Sequence, residues 1–190
     1  GHAVVCDVTD TASVAAAVQS VVTKFGGVDI LISNAGAAFQ GKLLEVDDAV
    51  FQRAFDLNFW GHHYIARACV KVMEVQKTGG ALVFNVSKQA LNPGPDFGPY
   101  GTSKAALMAL MRQYAIEHGA SGITSNAVNA DRIRTNLLTD DFVAERAASR
   151  GITAEEYMRG NLVKREVTAK DVAEAFVHLA KAKKSSGAVV

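Results

Sequence analysis

Short apolar runs alternate along this sequence with longer segments in which apolar residues recur every three or four positions. The runs have the length of buried strands and cover residues 3–6, 28–32, 81–86 and 123–128. The helical pattern covers residues 13–25, 47–73, 99–118 and 169–181. Strands that alternate with helices form a parallel sheet joined by right-handed crossovers. The sequence therefore predicts a doubly wound α/β fold.

The remaining segments fit a single domain. Residues 140–150 and 154–159 have the pattern of short helices, and the apolar residues 188–190 are typical of a strand that begins there. A chain of 190 residues with 49% hydrophobic content can bury a substantial core. We therefore predict one domain over residues 1–190.

Charge and composition narrow the classes of function. Twenty basic and nineteen acidic residues leave a formal charge of +1, which argues against binding to nucleic acid or to anionic membranes. No apolar stretch has the length of a membrane-spanning helix. Two cysteines, Cys6 and Cys69, cannot make a disulfide framework, so we expect a cytoplasmic protein.

One stretch of the chain carries residues with a joint chemical meaning. Ser87 follows the strand predicted at 81–86, and Tyr100 opens the helix predicted at 99–118. Lys104 is four residues beyond Tyr100, so the two side chains share one helix face. Because a nearby ammonium group favours phenolate, we expect it to lower the pKa of Tyr100 from about 10. With Ser87 holding the reacting oxygen, the set predicts proton transfer to or from a carbonyl or hydroxyl oxygen.

Other polar residues allow more than one interpretation. Asn58 lies among apolar neighbours in the helix predicted at 47–73, so its amide is either a core group bonded to a nearby carbonyl or a part of the site. Arg132 and Arg134 flank the predicted site and either meet an anionic substrate group or form ion pairs within their loop. The histidines have no metal-ligand spacing, so we predict no metal site. They are His2, His62, His63, His118 and His178.

These motifs together resemble the short-chain dehydrogenase/reductase family over nearly the whole chain. The matching features are Asn-Ala-Gly at 34–36, Asn58, Ser87, Tyr100 with Lys104, and residues 129–135. The resemblance implies a Rossmann-like sheet and an oxidoreductase that uses NAD or NADP, with NAD favoured. It implies that Tyr100 is the general acid/base and that Lys104 lowers its pKa while holding the nicotinamide ribose. Ser87 would orient the substrate oxygen, and Asn58 would hold a water in the proton relay.

The resemblance assigns further residues to the cofactor, in three groups along the chain. Asp7 and Val8 would flank the adenine ring. Asn34, Ala35 and Gly36 would line the adenine-ribose side. Ile133 and Thr135 would touch the nicotinamide carboxamide and the diphosphate end.

Residues 87–101 and 126–134 more closely resemble the dehydrogenase half of bifunctional aldolase/short-chain dehydrogenases. Those proteins join a class II sugar-phosphate aldolase domain to a dehydrogenase domain and act in deoxy-sugar catabolism, notably of rhamnose. The likeness implies carbohydrate catabolism and an aldolase domain upstream in the parent chain. It also implies a small-molecule substrate such as lactaldehyde, another small hydroxy-aldehyde or alcohol, or a sugar-derived carbonyl. The family further implies a homo-oligomer that pairs through the helices at 47–73 and 99–118.

Three departures from the family pattern affect these expectations. Ser33 stands where the motif Asn-Asn-Ala-Gly has its first Asn, and Ala130-Asp131 replaces Pro-Gly. The Asp131 carboxylate either caps a helix or contacts the substrate or the carboxamide. No Gly-x-x-x-Gly-x-Gly precedes Asp7, so the family's first two strands and its phosphate-binding loop are not in the sequence.

We therefore expect a fragment of a longer enzyme, with two open sheet edges. The fragment itself would then be inactive and without cofactor. The alternative function is a cofactor-free scaffold or assembly module.

Overall fold

The computed structural model describes residues 1–136 and 138–190. Within this part of the chain, three parallel strands lie side by side in chain order. They are β1 (Ile30–Ser33), β2 (Gly80–Asn85) and β3 (Ile123–Val128). Ser33 lies opposite Phe84, and Asn85 lies opposite Val128. All three strands therefore end at the same edge of the sheet.

Helices connect and follow the strands. They are α1 (Thr11–Phe25), α2 (Asp48–Phe55), α3 (Gly61–Gln76), α4 (Gly98–His118), α5 (Asp140–Ala148), α6 (Ala154–Met158) and α7 (Ala169–Lys181). Asp10 caps α1 by accepting hydrogen bonds from the backbone of its first turn, and Gly26 ends it with φ 87°. Pro99 lies in the first turn of α4, where a missing N–H costs nothing. These local signals place most helix ends within a few residues of the prediction.

The alternation of side chains along β2 divides the core into two layers. Leu82 and Phe84 are fully buried in the cluster formed with α1, α3 and α4. Val83 points to the opposite face and packs with Phe176 and Leu179 of α7. Helices thus cover both faces of a parallel sheet, which confirms the doubly wound α/β fold.

The helix predicted at 47–73 contains a change in geometry. A π-helical turn, Asp56–Trp60, separates α2 from α3, and α3 continues to Gln76. Asn58 lies in this π-helical turn and is completely buried. Single π-turns within α-helices are frequent at functional sites.

The strand predicted at residues 3–6 is not observed. Residues 3–6 have no strand assignment, and Val5 is 98% exposed. A strand needs a neighbour to complete its hydrogen bonds, and among the described residues β1 pairs only with β2. β1 is an edge strand of the described sheet, so its outer edge is open as predicted. Its side chains Ile30 and Ile32 are 50% and 45% exposed.

The strand predicted to begin at 188 does pair with the sheet. The Ala127 N–H donates to the Ala188 carbonyl at 2.9 Å, and the Val190 N–H donates to the Ala127 carbonyl at 3.1 Å. An isolated parallel bridge joins Ala127 and Val189. Residues 188–190 therefore extend the sheet beyond β3. Among the described residues, no helix is both long enough and apolar enough to cross a bilayer.

Candidate active site

A cavity of about 390 Å³ opens at the carboxyl ends of the strands. This is the edge where open parallel α/β sheets bind ligands. Six residues that were predicted for catalysis or cofactor binding line the cavity, and they come from four separate parts of the chain. They are Asn34, Gly36, Ser87, Tyr100, Ile133 and Thr135. The fold thus brings together residues that are up to a hundred positions apart.

Tyr100 and Lys104 lie on one face of α4, as their spacing predicts. The Lys104 Nζ is 6.0 Å from the centroid of the Tyr100 ring. The Lys104 side chain is almost fully buried, and its Nζ donates a hydrogen bond to the Asn85 carbonyl at 2.8 Å. The lysine is therefore held by the end of β2, beneath the floor of the cavity.

The pKa of Tyr100 shifts in the direction opposite to the prediction. Burial raises its pKa, and the Asp131 carboxylate adds to the increase, whereas a contact with the Ser87 hydroxyl acts to lower it. Burial also lowers the pKa of Lys104 to about 7. Desolvation of the phenol is thus the main cause of the shift, and the sequence spacing could not reveal it.

Ser87 lies directly beyond β2 with an extended backbone, and it caps the short helical turn Lys88–Ala90. Its Oγ accepts a hydrogen bond from the Gln89 N–H at 3.3 Å. This bond uses one acceptor position of the hydroxyl and leaves its proton free to interact elsewhere. The hydroxyl faces Tyr100, in the position from which it could hold a substrate oxygen.

The amide of Asn58 bonds to the backbone. Its Nδ2 donates to the Ala37 carbonyl at 3.0 Å, and its Oδ1 accepts from the Ala37 N–H at 3.2 Å. A longer bond of 3.4 Å joins the same Nδ2 to the Ser103 Oγ. The interpretation of Asn58 as a core amide bonded to a neighbouring carbonyl accounts for these contacts. It holds the loop that follows the Asn-Ala-Gly motif.

Gly36 is packed against both polar groups beneath the cavity. A Cβ on Gly36 would lie 3.0 Å from the Asn58 Oδ1 and 3.4 Å from the Lys104 Nζ. A side chain at this position would therefore have to displace one of them. The close approach of the backbone explains the glycine of the motif.

Two asparagines join the ends of β1 and β2. The Asn85 Nδ2 donates to the Asn34 Oδ1 at 2.7 Å. The Asn85 Oδ1 is buried and has no hydrogen-bond partner among the described residues. Asn85 lines the cavity, so this atom leaves an acceptor for a ligand that carries a donor. Asn85 was not among the predicted site residues, although its position at the end of a predicted strand was a signal.

Besides Lys104, three residues assigned to the cofactor lie outside the cavity wall. The Asp7 Oδ1 accepts from the N–H and the hydroxyl of Thr9, bonds that lower the pKa of Asp7. Val8 packs close to Gly61 at the start of α3. Ala35 lies beside the buried ring of His62. The structure therefore does not bring Asp7, Val8 or Ala35 into contact with the cavity.

A buried histidine supports the loop after β1. The His62 Nδ1 lies 2.6 Å from the Ser33 Oγ, while its Nε2 has no partner of normal geometry among the described residues. Burial and the nearby charge of Lys104 lower the pKa of His62 to about 3, so the ring is neutral. Packing is the role observed for this histidine. The described residues contain no group of three or more histidine, cysteine, aspartate or glutamate side chains placed to hold a metal.

The loop after β3 separates the two arginines that the sequence grouped together. Arg132 lines the cavity, where its Nε bonds to the Asp131 carboxylate at 3.1 Å. Arg134 pairs instead with Asp140 and Glu166 and is not part of the cavity wall. Asp131 is therefore an acidic group of the cavity and does not cap a helix.

The cavity has a wall that the sequence analysis did not identify. It includes the aromatic rings of Phe97, Phe142 and Tyr157 and the arginines Arg146 and Arg150. Residues of α5 and α6 pack into a small cluster of their own, formed by Val143, Ala147, Tyr157 and Met158. The two helices were predicted, but no local signal shows that they cover the strand ends.

The family comparison agrees with this geometry. A family model described as enoyl-(acyl carrier protein) reductase matches residues 1–189. Over 178 residues the chain is 33% identical to (+)-borneol dehydrogenase 1 of Salvia officinalis, and the match covers 92% of this chain and 66% of that protein. Over 196 residues it is 30% identical to the uncharacterized oxidoreductase YuxG of Bacillus subtilis, covering 99% of this chain and 28% of that protein. The chain thus spans two thirds or less of these curated relatives.

Solved structures show the same fold. The NAD+-bound xylitol dehydrogenase has a TM-score of 0.90 at 23% identity, with 98% of this chain and 76% of that chain covered. ElxO with NADP bound has a TM-score of 0.84 at 28% identity, with 97% of this chain and 73% of that chain covered. These structural neighbours carry NAD or NADP. With the family match over residues 1–189, the findings show that the chain belongs to the short-chain dehydrogenase/reductase family.

Proposed function

We propose that this chain forms the catalytic part of an NAD(P)-dependent oxidoreductase. The reaction would transfer hydride between nicotinamide and a small hydroxy-aldehyde, alcohol or sugar-derived carbonyl. The observation that carries the proposal is the meeting of Ser87, at the end of β2, with Tyr100, at the start of α4, on one cavity above Lys104. Two hydroxyl groups and a buried amine at the carboxyl edge of a parallel sheet can serve proton transfer at a carbonyl oxygen.

The direction of the Tyr100 pKa suits the role of an acid. Because burial raises this pKa, the phenol keeps its proton at neutral pH and can donate it to a carbonyl oxygen. The Ser87 hydroxyl would hold the same oxygen. Lys104, with a pKa lowered to about 7, can change its charge near neutrality, and its bond to Asn85 fixes its position. Asn58 supports the loop beside them, and a water in a proton relay at Asn58 remains part of the proposal.

The cavity residues fit the nicotinamide end of a cofactor. The unpartnered Asn85 Oδ1 offers an acceptor, and Ile133 and Thr135 line the same cavity. When bound, the nicotinamide would supply the hydride. Similarity to an NAD+-bound and an NADP-bound protein supports either cofactor, and we propose NAD as the preferred one. Asp7 and Val8 would contribute only to a more distant adenine site.

The substrate class and the parent protein are also proposals. We infer a sugar-derived substrate and an aldolase domain in the same protein, from the likeness of residues 87–101 and 126–134 to bifunctional aldolase/dehydrogenases. The match to YuxG supports a long parent chain, because this sequence covers 28% of that protein. The intact mass of the natural protein and an assay for aldol cleavage test this inference.

Substitution of Tyr100 by Phe tests the catalytic proposal. In the full-length protein, Tyr100→Phe should reduce kcat about 100-fold or more, because it removes the acid while keeping the ring. Tyr64→Phe is the matched control, since Tyr64 stacks on Trp60 away from the cavity. Fluorescence titrations with NADH and NADPH should show that both variants still bind cofactor. Near-normal turnover of Tyr100→Phe would remove Tyr100 from its assigned role.

A cofactor-free assembly module is the second candidate. It is favoured by exposed apolar side chains on two long helices, with Val75 of α3 81% exposed and Ile116 of α4 77% exposed. We propose that these helices pair in a cytoplasmic homo-oligomer. Loss of the oligomer in Val75→Lys and Ile116→Lys, measured by sedimentation, would support the pairing. If the full-length protein binds neither NADH nor NADPH, the assembly module replaces the enzyme as the proposed function.

A further inference from the structure

We propose that the cavity selects substrates that carry an anionic group, a carboxylate or a phosphate, bound by Arg146 and Arg150. The inference rests on the proposed oxidoreductase function and narrows its substrate class. A neutral hydroxy-aldehyde would leave the Nε of Arg146 without an acceptor and Arg150 without a carboxylate partner among the described residues, whereas an acidic or phosphorylated carbonyl compound would satisfy both.

Positive charge is concentrated at this cavity. Among the residues that the structure describes, four cationic side chains line the cavity, against the single carboxylate of Asp131. The cations are Lys88, Arg132, Arg146 and Arg150. Since the whole chain has a formal charge of only +1, this excess is a local property of the cavity. A cleft with one sign of charge attracts a ligand of the opposite sign.

Arg146 is held in place but incompletely bonded. Its side chain is only 12% exposed, and its guanidinium lies over the ring of Phe97, 5.2 Å from the centroid. The nearest carboxylate, that of Asp96, is 3.8 Å from Nη1, beyond hydrogen-bond distance. The Nε is buried and has no partner among the described residues. A buried cationic donor without an acceptor is costly, and an anionic ligand would remove this cost.

Arg150 provides a second charge on the same wall. Its guanidinium lies 5.0 Å from the centroid of the Tyr157 ring, and the structure shows no carboxylate within ion-pair distance of it among the described residues. Arg132 differs, because it is already bonded to Asp131 and to the Tyr157 carbonyl. Arg146 and Arg150 are therefore the arginines of this cavity that are available to a ligand.

Arg146 lies on the side of the cavity next to the reacting group. The ring of Phe97, which supports Arg146, is 6.2 Å from the ring of Tyr100. A substrate with its carbonyl at Tyr100 and Ser87 could therefore direct an acidic group towards Arg146. The burial of Arg146 against the Phe97 ring limits competing water there and strengthens its charge interaction.

Matched substrates test this selection in the full-length protein. Glyceraldehyde and glyceraldehyde 3-phosphate form one pair, and propanal and 3-oxopropanoate form another, each with a neutral and an anionic member. We expect kcat/KM to be at least tenfold higher for the anionic member of one pair. The pair that shows the preference tells whether phosphate or carboxylate is recognised. Preference for the neutral member in both pairs would overturn the proposal.

Substitutions of the arginines test whether Arg146 and Arg150 cause the preference for anionic substrates. Arg146→Ala and Arg150→Ala should each reduce the anionic-to-neutral ratio of kcat/KM by about tenfold to 100-fold, the usual cost of a charge-assisted hydrogen bond. Arg146→Lys should retain part of the ratio. Arg159→Ala is the control, since Arg159 pairs with Glu155 and does not line the cavity. An unchanged ratio in both alanine variants would overturn the assignment. The assignment would also be overturned if weaker binding of NADH or NADPH accounted for the whole fall in the ratio.

A binding measurement separates this proposal from the proposed reaction. Broadening of the ³¹P signal of inorganic phosphate, and of the proton signal of acetate, reports binding without turnover. Binding of either anion to the wild type but not to the double alanine variant would support the anion site. This result would hold even if no carbonyl compound is reduced and the oxidoreductase proposal fails. Equal broadening in both proteins, together with equal substrate ratios, would show that the arginines bind no anion.

Discussion

The ammonium group of Lys104 donates its hydrogen bond to the main-chain carbonyl of Asn85, 2.8 Å away at the carboxyl end of β2. The second turn of α4 is thereby tied to the central strand of the sheet. The lysine is close to Tyr100 but lies beneath it, in a site where burial lowers the pKa of Lys104 to about 7. Its charge therefore changes in the pH range where enzymes work.

The buried lysine should make stability depend on pH. A lysine whose pKa is depressed in the folded state binds its proton more tightly in the unfolded chain, so the free energy of unfolding should rise with pH between about 7 and 10. Lys104→Met should remove up to about 1.4 kcal/mol per pH unit of that slope. Urea unfolding of the full-length protein at pH 7, 8 and 9 measures how the free energy of unfolding changes with pH.

Lys24→Met is the control for this experiment, because Lys24 is exposed in the last turn of α1. Its slope should equal that of the wild type. If Lys104→Met and the wild type have parallel curves, the pKa of Lys104 is not depressed in the folded protein.

Removal of the Asp131 charge should make Tyr100 a stronger acid. The Asp131 carboxylate contributes to the raised pKa of Tyr100, so Asp131→Asn should lower that pKa. In alcohol oxidation the phenolate is the base, and the rising limb of kcat/KM should move to lower pH. Asp141→Asn, at an exposed site in α5, is the control. A limb that stays in place or moves to higher pH would contradict the assignment.

A side chain at Gly36 should disturb the groups beneath the cavity. In Gly36→Ala the new Cβ would lie 3.0 Å from the Asn58 Oδ1 and 3.4 Å from the Lys104 Nζ. We expect a loss of about 1–3 kcal/mol in unfolding free energy and at least a tenfold loss in kcat. The control is Gly119→Ala, where a Cβ would have no atom within 4 Å, and its stability should change by less than about 0.5 kcal/mol. Full activity in Gly36→Ala would show that Asn58 and Lys104 can move aside without loss of function.

Loss of the Asn58 amide should destabilise the loop after β1. Asn58→Ala leaves the N–H and the carbonyl of Ala37 unpaired in a half-buried place, which should cost about 1–3 kcal/mol in unfolding free energy. Hydrogen exchange at the Ala37 amide should become faster. Asn92→Ala, at an exposed position, should change neither quantity. If Asn58→Ala reduces turnover while leaving stability and exchange unchanged, the relay role of Asn58 gains support.

The sequence by itself determined the order of elements and the pair on α4. Apolar runs and helical periodicity are local properties, so β2, β3 and most helix ends were predicted within a few residues. The spacing of Tyr100 and Lys104 fixes their shared helix face, whatever the rest of the chain does. Residues 3–6 were predicted wrongly because an apolar run forms a strand only where a neighbouring strand completes its hydrogen bonds.

Only the tertiary structure decided the environment of those residues. The raised pKa of Tyr100 and the lowered pKa of Lys104 come from burial, which depends on how the strand ends and helices pack around the two groups. The placement of Arg146 and Arg150 at the cavity could not be predicted from the sequence either. A loop connects β3 to α5 and α6, and no local pattern specifies the path of that loop. Desolvation and charge at a site are sums over neighbours distant in sequence, and only the folded chain brings those neighbours together.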